Sequence, residues 1–142
     1  MPDYDRPRLR SELSRDEGRE RFPYRDTEGI LTIGVGWNLE ANGLPEHLID
    51  ELLDIGIRAA ESDLDVLMPG WREHLSAVRQ RVLLNMAFNL GRVRLAGFRQ
   101  MWQAIREQNW AEAAIQMLDS KWARQVGPRA ARLAEMMRLG VA

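Results

Sequence analysis

The spacing of apolar residues changes period once, early in the chain, and then settles. From 7 to 17 it is helical, with Leu9 and Leu13 four apart on one face and Gly18 placed to end the segment. Phe22-Pro23-Tyr24-Arg25 reads as extended, because the residue before a proline is pushed out of the helical region. Asp26-Thr27-Glu28-Gly29 has the composition of a turn, and Ile30 to Val35 is rich in β-branched residues, with Gly34 and Gly36 flanking Val35. These segments predict one β-hairpin, the only β-structure expected in the chain.

Everything after the hairpin reads as helix. Asn42-Gly43-Leu44-Pro45 is a break, and residues 46–67 carry Leu48, Leu52, Ile55, Leu64 and Leu67 at helical spacing. Pro69-Gly70 breaks the chain again. Residues 73–90 hold Leu75, Val78, Val82, Met86 and Leu90, the most apolar stretch, which predicts a central buried helix stopped by Gly91. Helices follow over 98–108, over 110–118 with Asn109 as cap, and over 129–138 between Gly127-Pro128 and Gly140. Trp102, Trp110 and Trp122 fall at core spacing. The fold class is α+β and mostly α, a single domain over 1–142. In it a β-lobe of about 18–44 faces a helical lobe of 1–17 and 45–142 across a cleft.

Composition narrows the chemistry. A chain of 142 residues can bury a core without staples. With no cysteine there is neither a disulfide framework nor thiol chemistry. His47 and His74 are the only histidines, too few for a multi-histidine zinc site, so no metal and no cofactor are expected. Net charge is −1, unevenly spread: residues 38–75 hold nine acids and two arginines, residues 92–142 nine basic residues and four acids. A basic C-terminal third suits an anionic polymer. Arginines scattered among acids do not suit nucleic acid. The charged start, Met1 to Arg6, lacks the apolar stretch of a signal peptide, and no run is long enough to span a membrane. The expectation is a product made and held in the cytoplasm.

Two carboxyls flank the hairpin. Glu17 ends the first helix and Asp26 sits at the turn, with Glu28 nearby and Thr32 on the returning strand. A helix end and a hairpin folded back over it can face two carboxyls across a groove, and cleavage of a glycosidic bond needs such a pair. By themselves, acids at helix ends and turns are more often capping or solvated groups.

The wording around them carries more. Asp16-Glu17-Gly18, Tyr24-Arg25-Asp26-Thr27-Glu28-Gly29 and Thr32-Ile33-Gly34-Val35-Gly36 resemble the phage-type lysozymes of glycoside hydrolase family 24, the T-even kind, with no gap between Glu17, Asp26 and Thr32. Asn85 to Gly91, Ala96-Gly97-Phe98, Trp110 to Ala114, Ser120-Lys121-Trp122 and Arg129 to Arg132 are similar to later segments of that family, in order. The resemblance implies a lysozyme-like fold and hydrolysis of the β-1,4 bond between N-acetylmuramic acid and N-acetylglucosamine in peptidoglycan, with inversion. Glu17 would be the general acid, Asp26 would orient or deprotonate the attacking water, and Thr32 would hold that water from the other side. The resemblance also implies that Arg129 pairs with the glutamate, that Asn85 supports the pair, and that Phe88 and Gln116 meet the sugar. Trp37 stands where the T-even protein has a histidine, and the β-lobe is shorter by roughly twenty residues, a change that loops tolerate. An endolysin of this kind would be a monomer, would act on the wall in the periplasm, and would need a holin or similar membrane-permeabilising partner. Two other readings remain at this point: a lytic transglycosylase on the same bond, and a non-catalytic wall-binding protein of the same fold. The basic, apolar-faced segment of Arg129, Arg132 and Arg138 beside Leu133, Met136, Met137 and Leu139 reads as a helix packed on the bundle before it reads as a membrane-active one.

Overall fold

The computed structural model describes residues 3–141; residues 1, 2 and 142, at the ends of the span read as one domain, lie outside the described residues. The chain forms two compact units, residues 1–51 and 52–142, and the division falls inside a long helix after Glu51.

The first unit opens with α1 (Arg6–Glu17), capped by the Asp5 carboxylate, which accepts from the Arg8 amide. Gly18 ends it at φ +80°, its amide donating to Ser14 O. The sheet follows: β1 (Glu20–Arg25), β2 (Leu31–Gly34) and β3 (Trp37–Asn38), antiparallel in that order. Tyr24 pairs with Thr32 and Arg25 with Leu31, but Glu20 pairs with Gly34, so the register slips around Phe22-Pro23. Pro23 has no amide to give to the ladder, and β1 is an edge strand where that is tolerated. The third strand and the short α2 (Leu39–Asn42) were not expected from the sequence. Two residues of strand and four of helix are too short to show a period. The Asn38 side chain caps α2 by accepting from Ala41 N.

The long helix α3 (Glu46–Leu67) has the predicted bounds. Leu48, Leu52 and Ile55 are exposed, and only Ala60 and Leu64 are buried, so the C-terminal half alone reaches the core.

The rest of the second unit is helical: α4 (Trp71–His74), α5 (Ala77–Leu90), α6 (Arg92–Ala96), α7 (Arg99–Arg106), α8 (Trp110–Leu118), α9 (Lys121–Val126) and α10 (Pro128–Leu139). As the pattern predicts, α5 is the buried helix, with Val82, Leu83, Met86, Ala87 and Leu90 inside. Ser76 caps its start and Gly91 its end. Leu75 is buried as well but lies just ahead of the helix, and Val78 is half-buried. α10 packs on α5 and α8, and α8 on α7. The buried face of α10 is Ala130, Leu133, Ala134 and Met137, so its apolar side is spent on the core. Trp102 and Trp122 are core residues, and Trp110 is half-buried against the core. All three buried indoles are satisfied, Trp71 by Asp65 Oδ1, Trp102 by Leu95 O and Trp122 by Asn89 Oδ1.

Arg79 of α5 secures the end of α10. Its Nε donates to Met137 O at 2.8 Å and its Nη2 to Arg138 O at 3.1 Å, satisfying carbonyls that a helix end leaves open. The guanidinium carbon also stands 4.0 Å from the centre of the Trp110 ring. Burial lowers the Arg79 pKa from its usual value, but an arginine starts so high that it stays charged. Among the described residues, no helix is long and apolar enough to cross a membrane.

Candidate active site

In the first unit the Glu17 side chain lies over the backbone of Gly36. A Cβ built on Gly36 would stand 2.7 Å from Glu17 Oε2 and 3.1 Å from its carboxyl carbon. Gly36 therefore has two reasons to be glycine: the carboxyl occupies the space of a side chain, and φ is +65°. The sequence reading assigned Gly36 only to hairpin geometry; its close approach to an acid on another element has no signature in composition.

Asp26 organises the turn. Its Oδ1 accepts from Glu28 N at 2.8 Å and from Ile30 N at 2.9 Å, its backbone amide donates to Ile30 O, and Gly29 N donates back to Asp26 O. One carboxylate oxygen is thus fixed by backbone, and among the described residues Oδ2 takes no hydrogen bond. Arg25 buttresses the same turn, donating to Gly29 O at 3.1 Å and standing 3.6 Å from Glu40.

Thr32 occupies the middle strand, opposite Tyr24 on one side and Asn38 on the other. With Asp26 bonded across to Ile30, strand alternation sets Asp26 and Thr32 on one face of the hairpin. Thr32 is the one buried polar residue among those described, and its hydroxyl donates to Ile30 O at 2.8 Å. Since that proton is committed, Oγ1 is left as an acceptor. Glu17, Asp26 and Thr32 thus share a single unit.

The other predicted site residues belong to the second unit. Arg129, at the start of α10, donates to Asn85 Oδ1 through Nε at 3.0 Å and through Nη2 at 2.6 Å, which orients its guanidinium. Both residues line an apolar hollow of about 430 Å³ together with Leu53, Ile57, Leu84 and Phe88. Phe88 is 47% exposed and so is not core packing. Its ring lies directly on Gly56 of α3, with Cδ2 and Cζ each 3.1 Å from where a Cβ would be. Gln116 is elsewhere: its Nε2 donates to Glu112 at 2.7 Å, and it lines a separate polar hollow beside α7. The structure thus joins Asn85, Arg129 and Phe88 and leaves Gln116 apart from them. Among the described residues, no group of three His, Cys, Asp or Glu side chains could hold a metal ion.

A mostly helical α+β chain with a small antiparallel sheet whose turn holds an ordered aspartate, preceded by a helix ending in glutamate, has the form of a lysozyme-like glycosidase. The comparison with protein families agrees: the phage lysozyme family model matches residues 14–137. The chain belongs to the phage lysozyme family, and it is a glycoside hydrolase of lysozyme type, acting on peptidoglycan. Among its relatives, "Probable T4-type lysozyme 1" of Dictyostelium discoideum is 25% identical, covering 93% of this chain and 94% of its own length. "Probable T4-type lysozyme 2" of the same organism is 26% identical with the same coverage. Both alignments run over more positions than this chain has residues, so those relatives carry residues that it lacks. The pre-baseplate central spike protein Gp5 of enterobacteria phage T4 is 28% identical over 90% of this chain, a match confined to 27% of the spike protein.

Proposed function

We propose that the protein is an endolysin that hydrolyses the β-1,4 bond between N-acetylmuramic acid and N-acetylglucosamine with inversion, freeing phage progeny from a bacterial host. In this reading Glu17 protonates the glycosidic oxygen as the bond to the anomeric carbon breaks. Water attacks that carbon from the opposite face and gives its proton to Asp26. The single observation that carries the reading is the state of Asp26: Oδ1 is pinned by two turn amides while Oδ2 is left to take a proton. Thr32 fits the same step. A water that donates one hydrogen to Asp26 and the other to the Thr32 acceptor keeps a lone pair for the sugar carbon. Inversion requires room for that water, which corresponds to carboxyls roughly 6.5–9.5 Å apart. In the second unit, Arg129, oriented by Asn85, would support the substrate, and the exposed Phe88 ring would meet a sugar face. Access to the wall would depend on a membrane-permeabilising partner of the holin class, with the enzyme acting as a monomer.

The test is a turbidity assay on outer-membrane-permeabilised Gram-negative cells. The native protein should clear the suspension. Glu17→Gln should lose activity by about 10²–10⁴-fold, the worth of a positioned acid, and Asp26→Asn by a comparable factor. Clearing that persists in both variants would overturn the assignment.

A further inference from the structure

We propose that Trp37 is a positioning residue for Glu17: its indole N–H locks the segment after β3 and so holds Gly36 in place beneath the carboxyl of the proposed acid. The proposal rests on the reading of Glu17 as general acid and concerns a residue outside the reacting groups.

The backbone under Glu17 is poorly held by the sheet alone. Gly36 lies in the short link between β2 and β3, and Gly34 and Gly36 both have left-handed φ, at +69° and +65°. Glycine has more backbone freedom to lose than any other residue, so such a link does not fix itself. The ladder beyond it joins only two residue pairs, Thr32 with Asn38 and Ile33 with Trp37. A carboxyl resting on Gly36 therefore needs a fastening from outside the ladder.

Trp37, the residue after Gly36, supplies one. Its ring is 40% exposed, so burial is not its main use. Its pairing with Ile33 puts it on the sheet face opposite Thr32, because successive strand residues alternate, and so away from the face of Asp26. What the indole does is donate through Nε1 to Gly43 O at 2.8 Å, across the whole of α2. That carbonyl belongs to a fixed residue: the Gly43 amide donates to Leu39 O, and the Asn38 side chain accepts from Ala41 N. Residues 37–43 thus close into one block, with Gly36 at its edge. The same block reaches the Asp26 turn through Glu40, which stands 3.6 Å from Arg25, itself a donor to Gly29 O. Both side chains of that ion pair are more than half exposed, so water and salt weaken it. The Trp37 bond is the firmer fastening, and it acts on the side of the block that carries Glu17.

The experiment uses the full chain, with kcat and KM measured on soluble peptidoglycan fragments well below the melting temperature of every variant. Trp37→Phe keeps an aromatic ring and removes the donor. Benzothienylalanine placed at position 37 keeps the bicyclic shape and replaces the N–H by sulfur, so it carries the comparison even if the phenylalanine variant folds poorly. Both changes should lower kcat by about tenfold, the scale of a slightly misplaced reacting group, and leave KM within about twofold. The decisive measurement repeats the change in Gly36→Ala, where the carboxyl is already displaced. There the loss of the indole N–H should cost less than about twofold, because two changes that act through one contact do not add. A lower melting temperature with kcat unchanged would make the bond merely structural and overturn the proposal. So would a full tenfold loss in the Gly36→Ala background, which would mean that Trp37 acts by another route. A native protein that clears walls equally well as Glu17→Gln would sink the reading of Glu17 on which the proposal rests. A native protein that depends on Glu17 but is indifferent to the indole N–H would sink Trp37 alone.

Discussion

The carboxyl of Glu17 occupies the space that a side chain on Gly36 would need, 2.7 Å from oxygen to the missing Cβ. The end of α1 and the link between β2 and β3 are therefore fitted to one another at the proposed general acid. Gly36→Ala should displace that carboxyl and also strain the backbone, since left-handed φ costs a non-glycine residue about 1–2 kcal/mol. Gly34→Ala provides the comparison. Gly34 is also left-handed, at φ +69°, but a Cβ there meets nothing within 4 Å. The two variants should melt at similar temperatures, while only Gly36→Ala loses more than about tenfold in kcat/KM, the effect expected when a reacting group is misplaced. Equal activity in the two would show that the fit is unimportant.

Asp26 orders the turn and is the proposed acceptor of the water's proton, two duties that substitutions can separate. Asn keeps an oxygen able to accept from Glu28 N and Ile30 N, whereas Ala removes the acceptor. Asp26→Asn should stay close to the native melting temperature and be inactive. Asp26→Ala should be inactive and also less stable by about 1–2 kcal/mol for the turn amides it strands. Thermal melts beside wall-clearing rates distinguish the two.

Thr32 offers a test of the water-holding role. Thr32→Ser retains a hydroxyl that can donate to Ile30 O, while Thr32→Val retains only the shape. Activity should largely survive in the serine variant and fall in the valine variant, with valine also costing about 1 kcal/mol for the hydrogen bond it removes, although Ile30 O keeps the Asp26 amide. Equal clearing rates for the two would remove Thr32 from the mechanism.

In the second unit Arg79 holds the end of α10 through two carbonyls, with its guanidinium over Trp110. Arg79→Met should lower stability by about 1–3 kcal/mol, from charged hydrogen bonds lost with little change in packing volume. Chemical denaturation would measure this. An unchanged midpoint would mean the helix end is held by other contacts.

The parts legible in the sequence were those with long periods or strong local chemistry. α3 was readable to its ends, and α5 was marked by its apolar density. Asn109 and Gly140 cap α8 and α10 as expected. The elements missed, β3, α2, α4, α6 and α9, run from two to six residues, too short for a repeat to register. The exposure of Leu48, Leu52 and Ile55 on α3 had no signature, because spacing reports a face but not whether anything covers it. The exposure of Phe88 could be seen only in the structure: α5 turns Val82, Leu83, Met86, Ala87 and Leu90 inward and leaves that ring outside. The candidate site was read from the wording around Glu17, Asp26 and Thr32, and the structure places all three in the first unit. Contacts between distant positions, such as Arg79 with Met137 or Glu17 with Gly36, leave no local trace.

The central claim concerns water: one molecule, activated by Asp26, attacks the sugar while Glu17 protonates the leaving oxygen. It is tested most directly by digesting purified peptidoglycan in ¹⁸O-labelled water and examining the new reducing ends at once by NMR and mass spectrometry. The account expects one labelled oxygen per cut and the α-anomer as first product. A β-anomer would contradict inversion, and an unlabelled anhydro sugar would contradict hydrolysis altogether.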